Sequence, residues 1–184
     1  MPEPKAELSE AALGQLPPLR VHAVEPRSRA NGPGARFVVW FQGCTLGCVG
    51  CYNPATHPDN AGATPFTIDA LAAQLDAALA SRQPPEGLSL TGGEPMQQST
   101  AALALLREAR GRGLSTLMFS GYTIEEIKGL PNGSAILAEL DVLIDGRYDA
   151  KQRLAVGLRG SANQQIHLLT TRYRAEEVHA VPTG

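Results

Sequence analysis

Three cysteines, Cys44, Cys48 and Cys51, fall within eight residues and are the only thiols in the chain. They follow directly on the apolar run Phe37-Val38-Val39-Trp40-Phe41. Three thiolates can each hold one iron of a four-iron cluster, which leaves the fourth iron without a protein ligand. An open coordination position is where a small molecule can bind a metal and react. Zinc is the competing reading, because His57, six residues past Cys51, would complete a Cys3His tetrahedron. A ferredoxin-type loop would need a distant fourth cysteine, which this chain lacks. Three metal-free buried thiols fit poorly with Gly43, Gly47 and Gly50 interleaved among them.

A second constellation is Leu90-Thr91-Gly92-Gly93-Glu94-Pro95. An apolar run ends there, two glycines expose backbone groups, and Pro95 can open a helix. The Glu94 carboxylate suits an ammonium group. Its bland alternative is a solvated acid in an ordinary strand-to-helix turn.

These motifs need elements to position them, and the chain supplies a repeated pattern of apolar run, glycine, polar loop and helix-period segment. Phe37 to Phe41 ends at Gly43, Leu88 to Leu90 at Gly92, Leu114 to Phe119 at Gly121, and Asp141 to Ile144 at Gly146. Helices are expected over Ile68 to Ala80, Ala101 to Arg112, and Ile124 to Leu140 with an interruption at Pro131-Asn132-Gly133. Such alternation predicts an α/β fold with a mainly parallel sheet and its strand-ending loops on one face. A closed eight-stranded barrel takes about 250 residues, so 184 residues predict a partial, open βα barrel. Val21 to Val24 is expected as an edge strand and Arg27 to Ala35 as turns. Trp40 reads as core, and His22, His167 and His179 as isolated structural histidines.

Length and 43% hydrophobic content predict one globular domain over residues 19–184. Residues 1–18 read as a flexible N-terminal tail with at most one short helix around Ser9 to Leu16. A net charge of −2 gives no basic field for nucleic acid, and no apolar run approaches the length of a membrane span. The clustered, odd cysteine count without a leader-like segment predicts a reducing, cytoplasmic location.

Together the cysteine loop and the Gly-Gly-Glu turn resemble the radical S-adenosylmethionine superfamily. The similarity extends through Gln42-Gly43-Cys44 to Pro54, Phe119-Ser120-Gly121-Tyr122-Thr123, Asp141 to Gly146, and Arg159-Gly160-Ser161-Ala162-Asn163-Gln164. In that order these segments resemble the anaerobic ribonucleotide reductase activating proteins, which activate glycyl radical enzymes. The resemblance implies a [4Fe-4S] cluster on Cys44, Cys48 and Cys51 and S-adenosyl-L-methionine as cofactor. Gly50 and Tyr52 would lie near the adenosine; Gly92, Gly93 and Glu94 would hold the methionine amino group; Ser120, Gly121 and Tyr122 would approach the cofactor from the third strand end. For Tyr122, packing on the sheet is an equal alternative. Arg159 and Asn163 are open between the cofactor carboxylate, a partner and loop closure, and Asp145 between a site role and a strand-end salt bridge.

The implied activity is oxidoreductase chemistry in which a 5'-deoxyadenosyl radical takes a hydrogen from a glycine of a partner enzyme. It requires no acid, base or nucleophile from the chain, so no catalytic residue is assigned. Flavodoxin or ferredoxin would be the external electron donor. Two alternatives stand beside it: a maturase of another peptide or macromolecule, and a non-enzymatic zinc module on Cys44, Cys48, Cys51 and His57.

Overall fold

The structure is a computed structural model, and it describes residues 19–59 and 64–179. The tail expected over residues 1–18, with its short helix, lies outside them. Fourteen strands and helices carry the fold. Strands β1 (Leu19–Ser28), β2 (Arg36–Phe41) and β3 (Thr64–Phe66) are followed by helix α1 (Ile68–Leu79). Then come β4 (Gly87–Gly92), α2 (Ser99–Gly111), β5 (Ser115–Phe119), α3 (Ile124–Gly129), α4 (Gly133–Glu139) and β6 (Val142–Asp145). The chain continues through β7 (Arg153–Val156), β8 (Arg159–Ser161) and β9 (Gln165–Leu168) to α5 (Ala175–His179).

Seven strands form one open sheet in the order β3-β1-β2-β4-β5-β6-β9, and β7 with β8 makes a separate hairpin. The four strands from β2 to β6 are mutually parallel. Their flanks are antiparallel, so the sheet is mixed around the parallel core that was expected. Val21 to Val24 is not an edge: β3 pairs outside it, against Leu19 to Val21. Most of the stretch expected as turns does turn, but β1 runs on to Ser28 before Arg29 to Ala35 close the loop. The interruption expected within Ile124 to Leu140 divides that stretch into two helices, with Asn132 in the left-handed conformation at φ 61° between them.

Strand alternation divides the core. Phe37, Val39, Phe41, Leu88, Leu90, Met118 and Leu143 point to one face and pack with the buried stripes of α1 to α4. Burial of each such side chain stabilises the fold by roughly 1.5–3 kcal/mol. Helix starts are locally encoded: Thr67 accepts from Ala70 N at the start of α1, and Thr123 with Glu126 forms a reciprocal capping box at α3. The opposite face carries Leu117, Val142 and Ile144, which pack with Leu158 of the hairpin loop and Val178 of α5. Those elements cover that face incompletely, and a cavity remains.

Candidate functional site

The parallel ladder between β2 and β4 continues past both strand ends. Gly93 N donates to Phe41 O (2.8 Å) and Glu94 N to Gly43 O (2.9 Å), so the residue before Cys44 is bonded directly to the Gly-Gly-Glu turn. A side chain at Gly93 would overlap the Gly43 carbonyl, and one at Gly92, where φ is +95°, would meet Phe41 backbone atoms at 2.6 Å. These two glycines are therefore required by strand packing before any ligand arrives. Gly43 N donates to Thr56 O (2.8 Å) and Cys44 N to His57 O (3.0 Å), closing the cysteine loop at its root.

Inside the loop the three cysteines are free and partly exposed. All three line one cavity of about 390 Å³. Its wall includes Gly92, Gly93 and Glu94 from the end of β4, and Ser120 and Gly121 from the end of β5. Tyr52 and His57 of the cysteine loop join them. Nine of the eleven expected site residues thus meet at one place. Gly50 and Tyr122 are not in the wall. Gly50 packs on the turn after β6, where an added Cβ would sit 3.2 Å from the Ala150 Cβ. The Tyr122 ring packs against the helical core beneath the Arg147 guanidinium, 5.5 Å from its centroid, and its hydroxyl accepts from Gln97 Nε2.

Glu94 differs from the presented carboxylate that was expected. It is 1% exposed and accepts from Met96 N (2.9 Å), Ser120 Oγ (2.9 Å) and Gly121 N (2.8 Å). It caps the turn after β4 and ties that strand end to β5. Burial pushes its carboxyl up to about 7, against the opposing effect of those hydrogen bonds and of the Arg147 charge. Burial also raises the Cys44 thiol, with the Glu94 charge adding to it.

Trp40 is not core: it is half-buried, alternates away from Phe41, and lines the cavity. The remaining wall has little local sequence signal. It comes from Tyr148 and from Leu154, Leu158, Arg159 and Gly160 of the β7–β8 hairpin. Tyr52 and Tyr148 rings pack at 4.8 Å, and both lie against Gly160, where an added Cβ would be 2.7 Å from Tyr52 and 3.3 Å from Tyr148. Arg159 lines the cavity and donates weakly to Gln164 O (3.4 Å). Asn163 lies outside it and closes a loop onto Arg147 O. Asp145 accepts from Ile124 N (2.6 Å) and lies 3.0 Å from His167 Nε2, a strand-end cap that is not itself part of the wall. His167 therefore does not stand alone, and neither does His22, whose Nδ1 meets Gln42 Oε1 at 2.9 Å. No helix of the described residues is long and apolar enough to cross a membrane.

The donor set fits an iron–sulfur cluster: three thiols, no fourth cysteine, and a cavity beside them whose buried carboxylate has no cation in ion-pair range among the described residues. As free thiols they do not converge on a closed ligand set among the described residues, with His57 or without it.

Comparison with known proteins agrees. A family model described as a 4Fe-4S single cluster domain matches residues 30–167. The chain overlays on the crystal structure of QueE from Escherichia coli with a TM-score of 0.52 and 14% identity, covering 64% of this chain and 59% of that one. That likeness shows a shared α/β fold. Sequence takes the relationship further. The anaerobic ribonucleoside-triphosphate reductase-activating protein of Vibrio cholerae is 34% identical over 160 residues, covering 83% of this chain and 99% of that protein. Its namesakes from phage T4 and Escherichia coli K12 are 34% and 32% identical, over 78% and 82% of this chain and 90% and 99% of theirs. The chain belongs to this radical S-adenosylmethionine-like, iron–sulfur family of anaerobic ribonucleotide reductase-activating proteins.

Proposed function

We propose that the chain is a radical S-adenosylmethionine activase of a glycyl radical enzyme of the anaerobic ribonucleotide reductase type. One observation carries this reading: three cysteines with no fourth partner line the same cavity as Gly92-Gly93-Glu94 and Ser120-Gly121, at the ends of adjacent parallel strands. The open sheet is read as a partial βα barrel, in a single domain over residues 19–184 that works in the cytoplasm.

Cys44, Cys48 and Cys51 would hold a [4Fe-4S] cluster. When bound, cluster and S-adenosyl-L-methionine supply the chemistry, one electron giving methionine and a 5'-deoxyadenosyl radical that takes a glycine hydrogen from the partner. What the chain contributes is position and exclusion of water. Gly92 and Gly93 bring backbone carbonyls close to the methionine amino group. Glu94 holds Ser120 and Gly121 at the adjoining strand end, and an ammonium entering the cavity relieves the penalty of its buried charge. Tyr52 flanks the adenosine, while Trp40, Phe119 and Leu158 supply apolar walls. Gly50 acts indirectly, by letting the loop lie on Ala150, and Tyr122 by supporting the third strand end. A flavodoxin or ferredoxin is the external electron source.

Reconstitution without oxygen, followed by dithionite and S-adenosyl-L-methionine, is expected to yield 5'-deoxyadenosine and methionine in equal amounts. With the partner enzyme present, a glycyl radical signal is expected by electron paramagnetic resonance. An intact cluster that yields neither product would overturn the reading, and products without a glycyl radical would favour the maturase.

A further inference from the structure

Cys44 and Cys48 are joined by Thr45-Leu46-Gly47, and little of the fold holds that span. Thr45 and Gly47 are exposed. Gly47 sits at φ +65° with nothing within 4 Å of an added Cβ. Among the described residues no backbone–backbone hydrogen bond reaches residues 45 to 47, although Gly43 and Cys44 before them are tied to Thr56 and His57. Side chains take over that task. Leu46 lies over Gly121, where an added Cβ would overlap its Cδ1, and Thr45 is held by Gln97.

Gln97 grips Thr45 with both ends of its amide. Its Oε1 accepts from Thr45 N (3.1 Å) and its Nε2 donates to Thr45 Oγ1 (2.8 Å). The second Nε2 hydrogen goes to Tyr122 Oη (3.3 Å). A backbone N–H can only donate, so the oxygen of the amide must face Thr45 N. Gln97 itself stands in the single turn Pro95–Gln98 that follows Gly-Gly-Glu, with its backbone N donating to Glu94 O (3.0 Å). One side chain thus joins the loops that follow β2, β4 and β5. Gln98 reaches the other way, accepting from Arg20 N (2.9 Å) and donating to Arg20 O (3.1 Å) and Gln42 O (3.0 Å), and holds the root of the cysteine loop. Backbone donors facing sulfur are already placed elsewhere in the loop: Leu46 N faces the Cys44 thiol, and Asn53 N donates to Cys51 Sγ (3.4 Å). The Thr45 N–H lies between Cys44 and the Leu46 amide in sequence, and Gln97 takes it.

We infer that Gln97 is a positioning residue: its grip on Thr45 orients the Cys44–Cys48 span and withholds the Thr45 amide from the metal site. The inference rests on the iron–sulfur reading of the cysteines. Hydrogen bonds to the sulfurs and exposure to solvent both make an iron–sulfur cluster easier to reduce, and so a weaker reductant once reduced. A fixed span with one donor turned away keeps the site at the strongly reducing end. Gln97 does this through Thr45, without itself lining the cavity.

The test compares the unaltered protein with Gln97→Ala, Gln97→Glu and Thr45→Val, first without metal and then reconstituted. In the apoproteins, hydrogen exchange at the Thr45 amide, followed by nuclear magnetic resonance, is expected to quicken about fivefold in Gln97→Ala and about twofold in Thr45→Val. Gln97→Glu should keep the slow exchange, because its carboxylate accepts from both Thr45 N and the Thr45 hydroxyl. The Leu90 amide, inside β4, should exchange equally in all four. In the reconstituted proteins, iron per chain should be the same, and a redox titration read by electron paramagnetic resonance should separate the two Gln97 variants. At a fixed potential the ratio of reduced to oxidised cluster is expected to rise about tenfold in Gln97→Ala (~59 mV for one electron). It should fall in Gln97→Glu, which keeps the grip and adds a negative charge. Unchanged Thr45 exchange in Gln97→Ala would overturn the inference, as would an acceleration that spreads equally to Leu90. So would Gln97→Ala and Gln97→Glu clusters that shift in the same direction or not at all. Should the unaltered protein take up zinc in place of a cluster, the proposed function fails, while Thr45 exchange still reports on the grip.

Discussion

The two ends of the parallel strands are each knotted by one buried ionisable side chain, and the knots have opposite sign and opposite purpose. At the amino-terminal end Arg36 is fully buried. It donates to Ser89 Oγ (3.0 Å), Leu88 O (2.7 Å), Ser115 Oγ, Ser115 O (3.3 Å) and Tyr173 Oη (3.2 Å), with no carboxylate in ion-pair range among the described residues. Burial lowers its pKa, but a guanidinium stays protonated. At the carboxyl-terminal end Glu94 binds three donors and fronts a cavity with free thiols. Both join β4 to β5. The Arg36 knot is saturated and closed over by the segment carrying Tyr173. The Glu94 knot keeps one side toward the cavity. The lower end holds the sheet together, and the upper end holds loops at a chosen spacing.

That contrast can be broken by substitution. Arg36→Ala should have the largest effect. It leaves a cavity and removes a donor from buried carbonyl and hydroxyl groups of β4 and β5 and from the Tyr173 hydroxyl, and urea unfolding is expected to report a loss of about 3 to 5 kcal/mol. Once folded, the variant should bind iron normally.

Glu94→Gln comes next, through pH. Because burial raises the Glu94 carboxyl to about 7 from 4.5, its protonated form is the one that suits the fold. The stability this confers is complete below the unfolded value and is lost as pH rises through the folded one. Relative to Glu94→Gln, the unaltered apoprotein should lose up to about 3 kcal/mol between pH 4.5 and 7, then change no further. Parallel melting curves across that range would contradict the buried-acid account.

The extent of sequence legibility follows the same division. β2, β4, β5 and β6 are buried on both faces, so they appear as apolar runs closed by glycine. The helices α1 and α2 show through leucine and alanine spacing. Strand β1 was recognisable only in part, because Pro26 and its polar alternation resemble a loop, and β3 is three residues with a central proline. At the site, the cysteines, Gly92-Gly93-Glu94 and Ser120-Gly121 were legible because their chemistry is local. Tyr148 and the hairpin wall were not. They reach the cysteine loop by folding back from about a hundred residues away, onto a bare Gly160, and such docking leaves no periodic mark. Trp40 could have been found: strict alternation sets it opposite Phe37, Val39 and Phe41, on the cavity side.

Gly93→Ala sharpens the comparison at the upper end. Its methyl would overlap the Gly43 carbonyl, so a loss of about 1 to 3 kcal/mol is expected, with less iron bound per chain. Gly111→Ala is the control, since nothing lies within 4 Å of its added methyl; it should be neutral or slightly stabilising.

Arg147→Ala should matter least. Its exposed pair with Glu126 holds that carboxyl low, at about 2. The sign is opposite to that of Glu94: the contribution is present above the ordinary carboxylate range and fades as pH falls toward 2. Exposure limits it to about 0.5 kcal/mol, which thermal melting at pH 7 against pH 3 would detect as a small convergence of the two proteins.

The central claim is that Cys44, Cys48 and Cys51 leave one iron of four open to S-adenosyl-L-methionine in the cavity beside Glu94. Mössbauer spectroscopy of the reconstituted, iron-57-labelled protein tests it most directly. With S-adenosyl-L-methionine added, one iron in four is expected to change its isomer shift while three stay as they were. Four irons that all remain unchanged, or a protein that takes up zinc in place of the cluster, would contradict the account.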